Sequence, residues 1–432
     1  MLKRLSLVNV GPAPVMSVDF GKRLNLLTGD NGLGKSFLLD IAWWSLTRKW
    51  PAELNPKVAT GYVARPSPGK KASIEFEFTK KTRGSEKYIS HFERSEQAWT
   101  GRPGRPSNPG LVLYAQVDGG FAVWDPARNY WKKKGNIDIQ VRQPAYVFGP
   151  KEVWEGLLNE KRDWICNGLI RDWASWQQEG GSAFKLLQSV VRSLSPDGEQ
   201  FAIGALTRIS LDDARDIPTL KMPYGEETPI LYASAGVRRV MALAYLLVWT
   251  WKEHRQACKL LGEEPAKQVV FLVDEIEAHL HPRWQRSIVG SLLNVVGGLA
   301  SQAKVQLIAA THSPLVMASA ESTFDPTQDA WLDLDLVLEP QASTPRVVLT
   351  HRPWVRHGEA SNWLMSEAFD MKTARSVEAE KALELAAVAM SDSGFTKAQA
   401  KAVHTKLASV LNDTDPFWLR WRHVADKKGW LN

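Results

Sequence analysis

Leu24 to Ser36, LNLLTGDNGLGKS, decides how the rest of the chain is read. Leu24, Leu26 and Leu27 form a short apolar run that predicts a buried strand. The next eight residues, Gly29 to Ser36, satisfy G-x-x-x-x-G-K-[ST]. Phe37, Ile41 and Trp44 then recur at helical spacing before Pro51 closes the segment. Strand, glycine loop and helix in this order are the setting a phosphate loop needs. Gly29, Gly32 and Gly34, with Asp30 and Asn31 between them, let backbone amides turn toward an anion at a helix N-terminus. Lys35 is placed to reach the β and γ phosphates of a nucleotide, and the Ser36 hydroxyl to ligate Mg²⁺.

Three later segments match that loop. Val269 to Val273 is apolar without alternation, as expected of a central parallel strand, and ends on Asp274 and Glu275. Carboxylates at such a strand end sit where open α/β sheets bind ligands. Asp274 is therefore the candidate metal ligand and Glu275 the candidate group that polarises the attacking water. A second apolar strand, Val305 to Ala310, delivers Thr311 and His312 to the same edge, with His312 as the γ-phosphate contact. Ser234 and Gly236 in SAGVRR precede the apolar run Val240 to Trp251, which reads as a buried helix and is too short to span a bilayer.

With these residues in view, the chain resembles the ABC-type ATPases of the SMC, RecF and OLD class. The opening LKRLSLVNVGPAPVMSVDFGKRLNLLTGDNGLGKS is similar to their first strands and phosphate loop, and DEIEAHLHP to their DEPEAHLHP segment. Isoleucine replaces proline at 276, and ASAGVR (233–238) stands where the common signature is LSGGQ. The resemblance covers residues 1 to about 350. It implies ATP and Mg²⁺ as cofactors and ATP hydrolysis as the activity. It also implies a homodimer or larger even-numbered assembly in which Ser234 and Gly236 of one copy face Lys35 of another. The class carries a metal-sensing glutamine after a strand. Gln116, Gln140 and Gln143 are the candidates, with Gln143 nearest the expected strand-to-helix passage. His279 and His281 are assigned to the turn that faces the opposing subunit.

The expected architecture is α/β. A two-lobed ATPase head spans 1–355, with a basic β-rich lobe at about 51–150 and a helical insert at about 151–200. A helical C-terminal subdomain spans 356–432, and there is no long coiled coil. Strands are predicted at Ala72–Thr79, Lys87–Phe92 and Leu111–Val117. Trp154, Leu158, Ile165, Leu169 and Trp173 suggest one face of a helical run. Asp333 and Asp335 read as one face of an edge strand. Thr396 with Gln399 predicts a capping box, and Asp415-Pro416 a further helix start. The tail resembles that of the ATPases of Septu-type, retron-associated and PARIS-type anti-phage systems.

The 432 residues are 44% apolar, enough for a large core, and include two cysteines, Cys166 and Cys258, too few for a disulfide framework or a zinc site. No spanning or leader segment is visible, which predicts a cytoplasmic protein without a membrane partner. The +7 net charge is concentrated at Lys70 and Lys71, Lys80–Arg83, Arg102–Arg105 and Arg128–Lys134, with Trp124 and Trp131 beside the last cluster. Such a lobe could follow a DNA backbone. Two functions fit: a sensor or scaffold that holds a separate nuclease or toxin in anti-phage defence, or a RecF-like DNA-repair ATPase.

Overall fold

The computed structural model describes all residues except 81–83, 102–106, 131–141, 160, 197–200, 339–342, 393 and 431–432. The described chain forms two compact units, Met1–Arg356 and His357–Asn432.

The first unit begins with β1 (Leu2–Val8), β2 (Val15–Asp19), β3 (Leu24–Gly29), α1 (Lys35–Thr47) and α2 (Pro51–Leu54). Strands β4 (Ser73–Thr79), β5 (Ser85–Glu93), β6 (Ala98–Trp99), β7 (Leu111–Ala115), β8 (Phe121–Trp124) and β9 (Tyr146–Phe148) follow. Next come α3 (Pro150–Glu155), the hairpin β10 (Leu157–Leu158) and β11 (Trp164–Cys166), α4 (Gly168–Glu179) and α5 (Ser182–Leu194). A small three-stranded sheet, β12 (Ala202–Ile203), β13 (Thr219–Lys221) and β14 (Glu227–Pro229), leads to α6 (Ala235–Leu261). The unit closes with β15 (Gln268–Val273), α7 (Pro282–Gln285), α8 (Ile288–Leu299), β16 (Lys304–Ala310), α9 (Pro314–Ala320), β17 (Ala330–Val337) and β18 (Arg346–Arg352).

Two sheets organise these elements. The larger has the order β18-β17-β3-β16-β15-β7-β8-β9, with β17, β3, β16, β15 and β7 mutually parallel and antiparallel strands at both edges. The smaller is antiparallel, β2-β1-β4-β5-β6. Leu5, Leu7, Ile74 and Phe76 of the small sheet share one apolar core with Tyr114, Leu272 and Ile308 of the large sheet and with α1. Every residue of α1 from Leu38 to Thr47 is consequently buried. Packing between two sheets buries this stretch around its whole circumference.

Three expectations on element placement change. The strands of 51–150 do not make one lobe, because β4 to β6 join β1 and β2 while β7 to β9 extend the large sheet. The helical run after residue 151 is interrupted by the β10–β11 hairpin. Its neck needs two glycines: Gly156 at φ 106 and Gly168 at φ 80 lie so close that a Cβ on Gly168 would stand 2.3 Å from the Gly156 nitrogen. Finally, β17 is an interior strand, and Asp333 is buried there as acceptor for the Thr28 hydroxyl (2.7 Å) and Arg352 Nε (3.1 Å). Burial alone did not exclude a carboxylate from that position, since both of its oxygens are satisfied.

The second unit contains α10 (Ala360–Leu364), α11 (Val377–Ser391), α12 (Lys397–Val410) and α13 (Phe417–Lys427), of which α11, α12 and α13 pack around Ala382, Ala386, Leu407 and Trp421. Thr396 and Gln399 form the reciprocal cap at the start of α12, and the Asp415 carboxylate accepts from the Phe417 amide ahead of α13. Among the described residues no helix is long and apolar enough to cross a membrane.

One buried acid in the first unit makes a stability prediction. Asp40, on α1, accepts from the Tyr114 hydroxyl (2.9 Å) and the Gly61 amide (3.1 Å), yet burial pushes its carboxyl up from 3.8 to about 7. Between these values the folded chain holds a proton that the unfolded chain has released, so this group's contribution to stability falls as pH rises through the window. Asp40→Asn should therefore lose less thermal stability than wild type between about pH 5 and about pH 8, read as Tm at each pH. A Tm difference between the two pH values as large as that of wild type would count against it.

Candidate functional site

The parallel register brings four strand ends together. Gly29 of β3 pairs with Leu334, Ala310 of β16 with Leu27, and Val273 of β15 with both Ala309 and Ala115. The residues immediately beyond these ends, the phosphate loop, Thr311 with His312, Asp274 with Glu275, and Gln116, thus share one edge of the sheet.

The loop owes its path to glycine. Gly29, Gly32 and Gly34 have φ of 124°, 81° and 101°, and a Cβ on Gly29 would lie 2.1 Å from the Leu334 carbonyl oxygen. Lys35 opens α1, and its ammonium folds back to donate to the carbonyls of Gly29 (2.6 Å) and Asp30 (2.9 Å). Burial lowers its pKa, against the pull of the Asp274, Asp30, Glu275 and Glu277 carboxylates.

Asp274 is fully buried, and neither carboxylate oxygen has a conventional hydrogen-bond partner among the described residues. Burial raises its pKa most, and the Glu275 carboxylate adds to this; the Ser36 hydroxyl, Lys35 and Arg239 act in the opposite direction. A buried acid without partners is costly unless a cation completes it. A serine hydroxyl beside one carboxylate suits Mg²⁺, which keeps few protein ligands and shares the rest of its shell with phosphate and water. The described residues hold no cluster of three or more His, Cys, Asp or Glu fit for an all-protein metal cage.

Glu275 adopts φ 43°, a left-handed conformation unusual for a residue with a side chain. The turn beyond it is held by Ile276 N–H to the Ala310 carbonyl (3.0 Å) and Ala278 N–H to the Glu275 carbonyl (2.8 Å). His312 is half-buried, and its pKa is lowered by burial and by Lys35.

The sequence reading missed Glu277. Its carboxylate accepts from the Thr311 hydroxyl (2.7 Å) and the His312 amide (2.5 Å), joining the acidic turn to the histidine. The available signal was a third acid two residues past Glu275, in DEIE. Among the glutamines, Gln116 lies at the end of β7, buried, with Nε2 donating to the Thr60 hydroxyl (2.8 Å) and Oε1 without a partner among the described residues. Gln143 is not brought to this edge; its carbonyl accepts from Asn129 (2.8 Å), and Gln140 lies outside the described residues.

Ser234 caps α6, accepting from the Val237 amide (3.4 Å), and is exposed. Gly236 abuts the acidic turn: a Cβ there would stand 2.5 Å from the His279 carbonyl oxygen. His279 itself has φ 62°, and His281 caps α7 by accepting from the Arg283 amide (3.3 Å). Glycine at 236 is therefore required by packing within one chain, whatever it meets across an interface.

Of the basic clusters, Lys81, Arg83, Arg102, Arg105, Lys132, Lys133, Lys134 and Trp131 lie outside the described residues. Lys80 pairs with Glu86 (3.1 Å) and Arg128 with Glu253 (2.6 Å), while Lys70 and Lys71 are exposed. Trp124 is buried on β8, edge-on to Tyr130, which removes it as a stacking platform.

A parallel sheet with the phosphate loop, acidic strand end and histidine on adjacent strands defines a P-loop ATPase fold. Residues 24–318 match the family described as "AAA domain, putative AbiEii toxin, Type IV TA system", and the chain belongs to that family. It is 28% identical over 199 residues to the "Retron Vc95 probable ATPase" of Vibrio cholerae serotype O1 biovar El Tor, covering 44% of this chain and 34% of that protein. It is 50% identical over 82 residues to "Septu protein PtuA" of Bacillus mycoides (strain KBAB4), covering 19% of this chain and 10% of that protein. The chain thus spans about a third or less of either relative. Similar solved structures include the SMC head domain from Thermotoga maritima, at 14% identity and TM-score 0.39, covering 82% of this chain and 99% of that one. Another is the SmcHead bound to the C-winged helix domain of ScpA, at 14% identity and TM-score 0.42, covering 81% and 98%.

Proposed function

We propose that the chain is a Mg²⁺-dependent ATPase whose site is completed by a second copy, and that its ATP-bound form acts in the cytoplasm as sensor or scaffold for a separate nuclease or toxin in anti-phage defence. The carrying observation is the buried, unpartnered Asp274 carboxylate beside Ser36, at the edge where Lys35, Glu275 and His312 meet. Ser36 and Asp274 would hold Mg²⁺, which when bound neutralises charge on the phosphate oxygens. Backbone amides of residues 29–36 and the Lys35 ammonium bind the phosphates. Glu275 orients and polarises the attacking water, and His312 meets the γ-phosphate. Gln116, on the strand next to Asp274, takes the metal-sensing role in preference to Gln143.

The exposed Ser234 at the N-terminus of α6 offers its hydroxyl and the following amides to a phosphate on another copy. A defence role is supported by the retron and Septu names of the two relatives. The RecF-like alternative is less favoured, because Lys80 and Arg128 of the basic clusters are already held by acids. Light scattering of Glu275→Gln with ATP and Mg²⁺ tests the assembly: a dimer or larger even-numbered species is expected, and a strict monomer would remove the reading.

A further inference from the structure

We propose that Glu277 is a positioning residue of the hydrolytic site, its carboxylate clamping the His312 backbone and the Thr311 hydroxyl to the turn that carries Glu275 and His279. The inference rests on the ATPase reading above and adds a residue to it.

The geometry is a cross-brace. One oxygen of Glu277 accepts from the His312 amide at 2.5 Å and the other from the Thr311 hydroxyl at 2.7 Å. Thr311 is itself fixed on both sides: its amide donates to the Leu27 carbonyl (2.9 Å), and its hydroxyl oxygen accepts from the Ser313 amide (3.0 Å). Ser313 then caps α9 and donates to Gln285 Oε1 (2.6 Å). The direction in which His312 leaves the backbone is thus set by a carboxylate from a neighbouring loop. A charge-assisted bond to a backbone amide is shorter and stronger than a neutral one, which suits a rigid clamp.

The Glu277 backbone lies in the turn that packs against α6. The Leu280 amide donates to the Glu277 carbonyl (2.8 Å), and the carbonyl of His279, inside that turn, is the atom Gly236 packs against. A shift of α6 would press on residues 277–280, and the Glu277 side chain would carry it to His312. Glu277 is the acid of the turn whose side chain bonds to both Thr311 and His312, whereas the Asp274 carboxylate has no hydrogen-bond partner among the described residues. Burial raises the Glu277 pKa, while the His312 amide and Thr311 hydroxyl pull it back.

The test is a mutant cycle read in steady-state ATP turnover, with Tm recorded for each variant. Glu277→Ala should lower kcat by roughly 10- to 100-fold with KM changed by less than about threefold, as expected when a catalytic group is misplaced and ground-state binding kept. Glu277→Gln keeps one acceptor for the His312 amide and should recover most of the loss. Glu277→Asp keeps the charge but falls one methylene short, and should fold normally yet turn over slowly, which keeps the test informative if the alanine variant unfolds. Glu277→Ala/His312→Ala should be no slower than His312→Ala alone, because one residue acts through the other. Additive losses, a KM effect without a kcat effect, or full activity in both the alanine and aspartate variants would overturn the proposal. Should His312→Ala alone keep wild-type kcat, the assigned role of His312 fails, and this inference with it. An impaired His312→Ala beside a fully active Glu277→Ala defeats this inference alone.

Discussion

Glu275→Gln should slow ATP hydrolysis by roughly 10²- to 10⁴-fold, the range for removing a general base, while ATP stays bound. The substitution preserves side-chain size and takes away the charge that draws a proton from the attacking water. Lys35, Ser36 and Asp274, which hold the phosphates and Mg²⁺ in this account, are untouched. Glu275 also carries left-handed backbone at φ 43°, so its position is set by the turn after β15 and not by its side chain alone. The variant should therefore fold normally and retain nucleotide, seen as wild-type ATP affinity with product formation nearly abolished. Wild-type turnover would remove Glu275 from the chemistry.

Lys35→Ala should fail earlier, at binding. Truncating one member of a buried charge pair costs about 2–5 kcal/mol, so nucleotide affinity should fall by roughly 30- to several-thousand-fold. The loop itself should survive, because its path is set by Gly29, Gly32 and Gly34, although the two carbonyls that now accept from the ammonium lose their donor. Calorimetric titration of ATP into both variants separates the roles: Lys35→Ala loses affinity and Glu275→Gln keeps it. Equal, wild-type affinity in the two would contradict the assignment.

The motifs that meet at one edge of the sheet were legible in the sequence because each is local. A glycine loop between an apolar strand and a helix, or two acids at the end of a VVFLV run, carries its own context within a dozen residues. The capping box at Thr396 and Gln399 was readable for the same reason. Strand partnership was not. Ala72–Thr79 and Leu111–Val117 were both read as strands of one lobe, yet the first pairs with β1 and the second beside β15, a choice made by packing on either side of α1. Gln116 could have been favoured on one sign: LVLYA before it is buried on both faces, as VVFLV is before Asp274, and central strands deliver site residues. Glu277 was hidden because its partner, the His312 amide, is a backbone group 35 residues away.

The central claim, that two copies share each ATP site, is tested most directly by mixing two inactive variants. Lys35→Ala removes the phosphate contact of the loop and leaves Ser234 intact; Ser234→Arg blocks the signature and leaves Lys35 intact. Each alone should be nearly inactive. Mixed in equal amounts and allowed to exchange, half of the dimers carry one site built from the intact loop of one chain and the intact signature of the other, so about a quarter of wild-type turnover should return if the sites are independent. Recovery of activity on mixing is the predicted result. No recovery, with exchange of subunits demonstrated, or full activity of Ser234→Arg alone, would contradict a shared site.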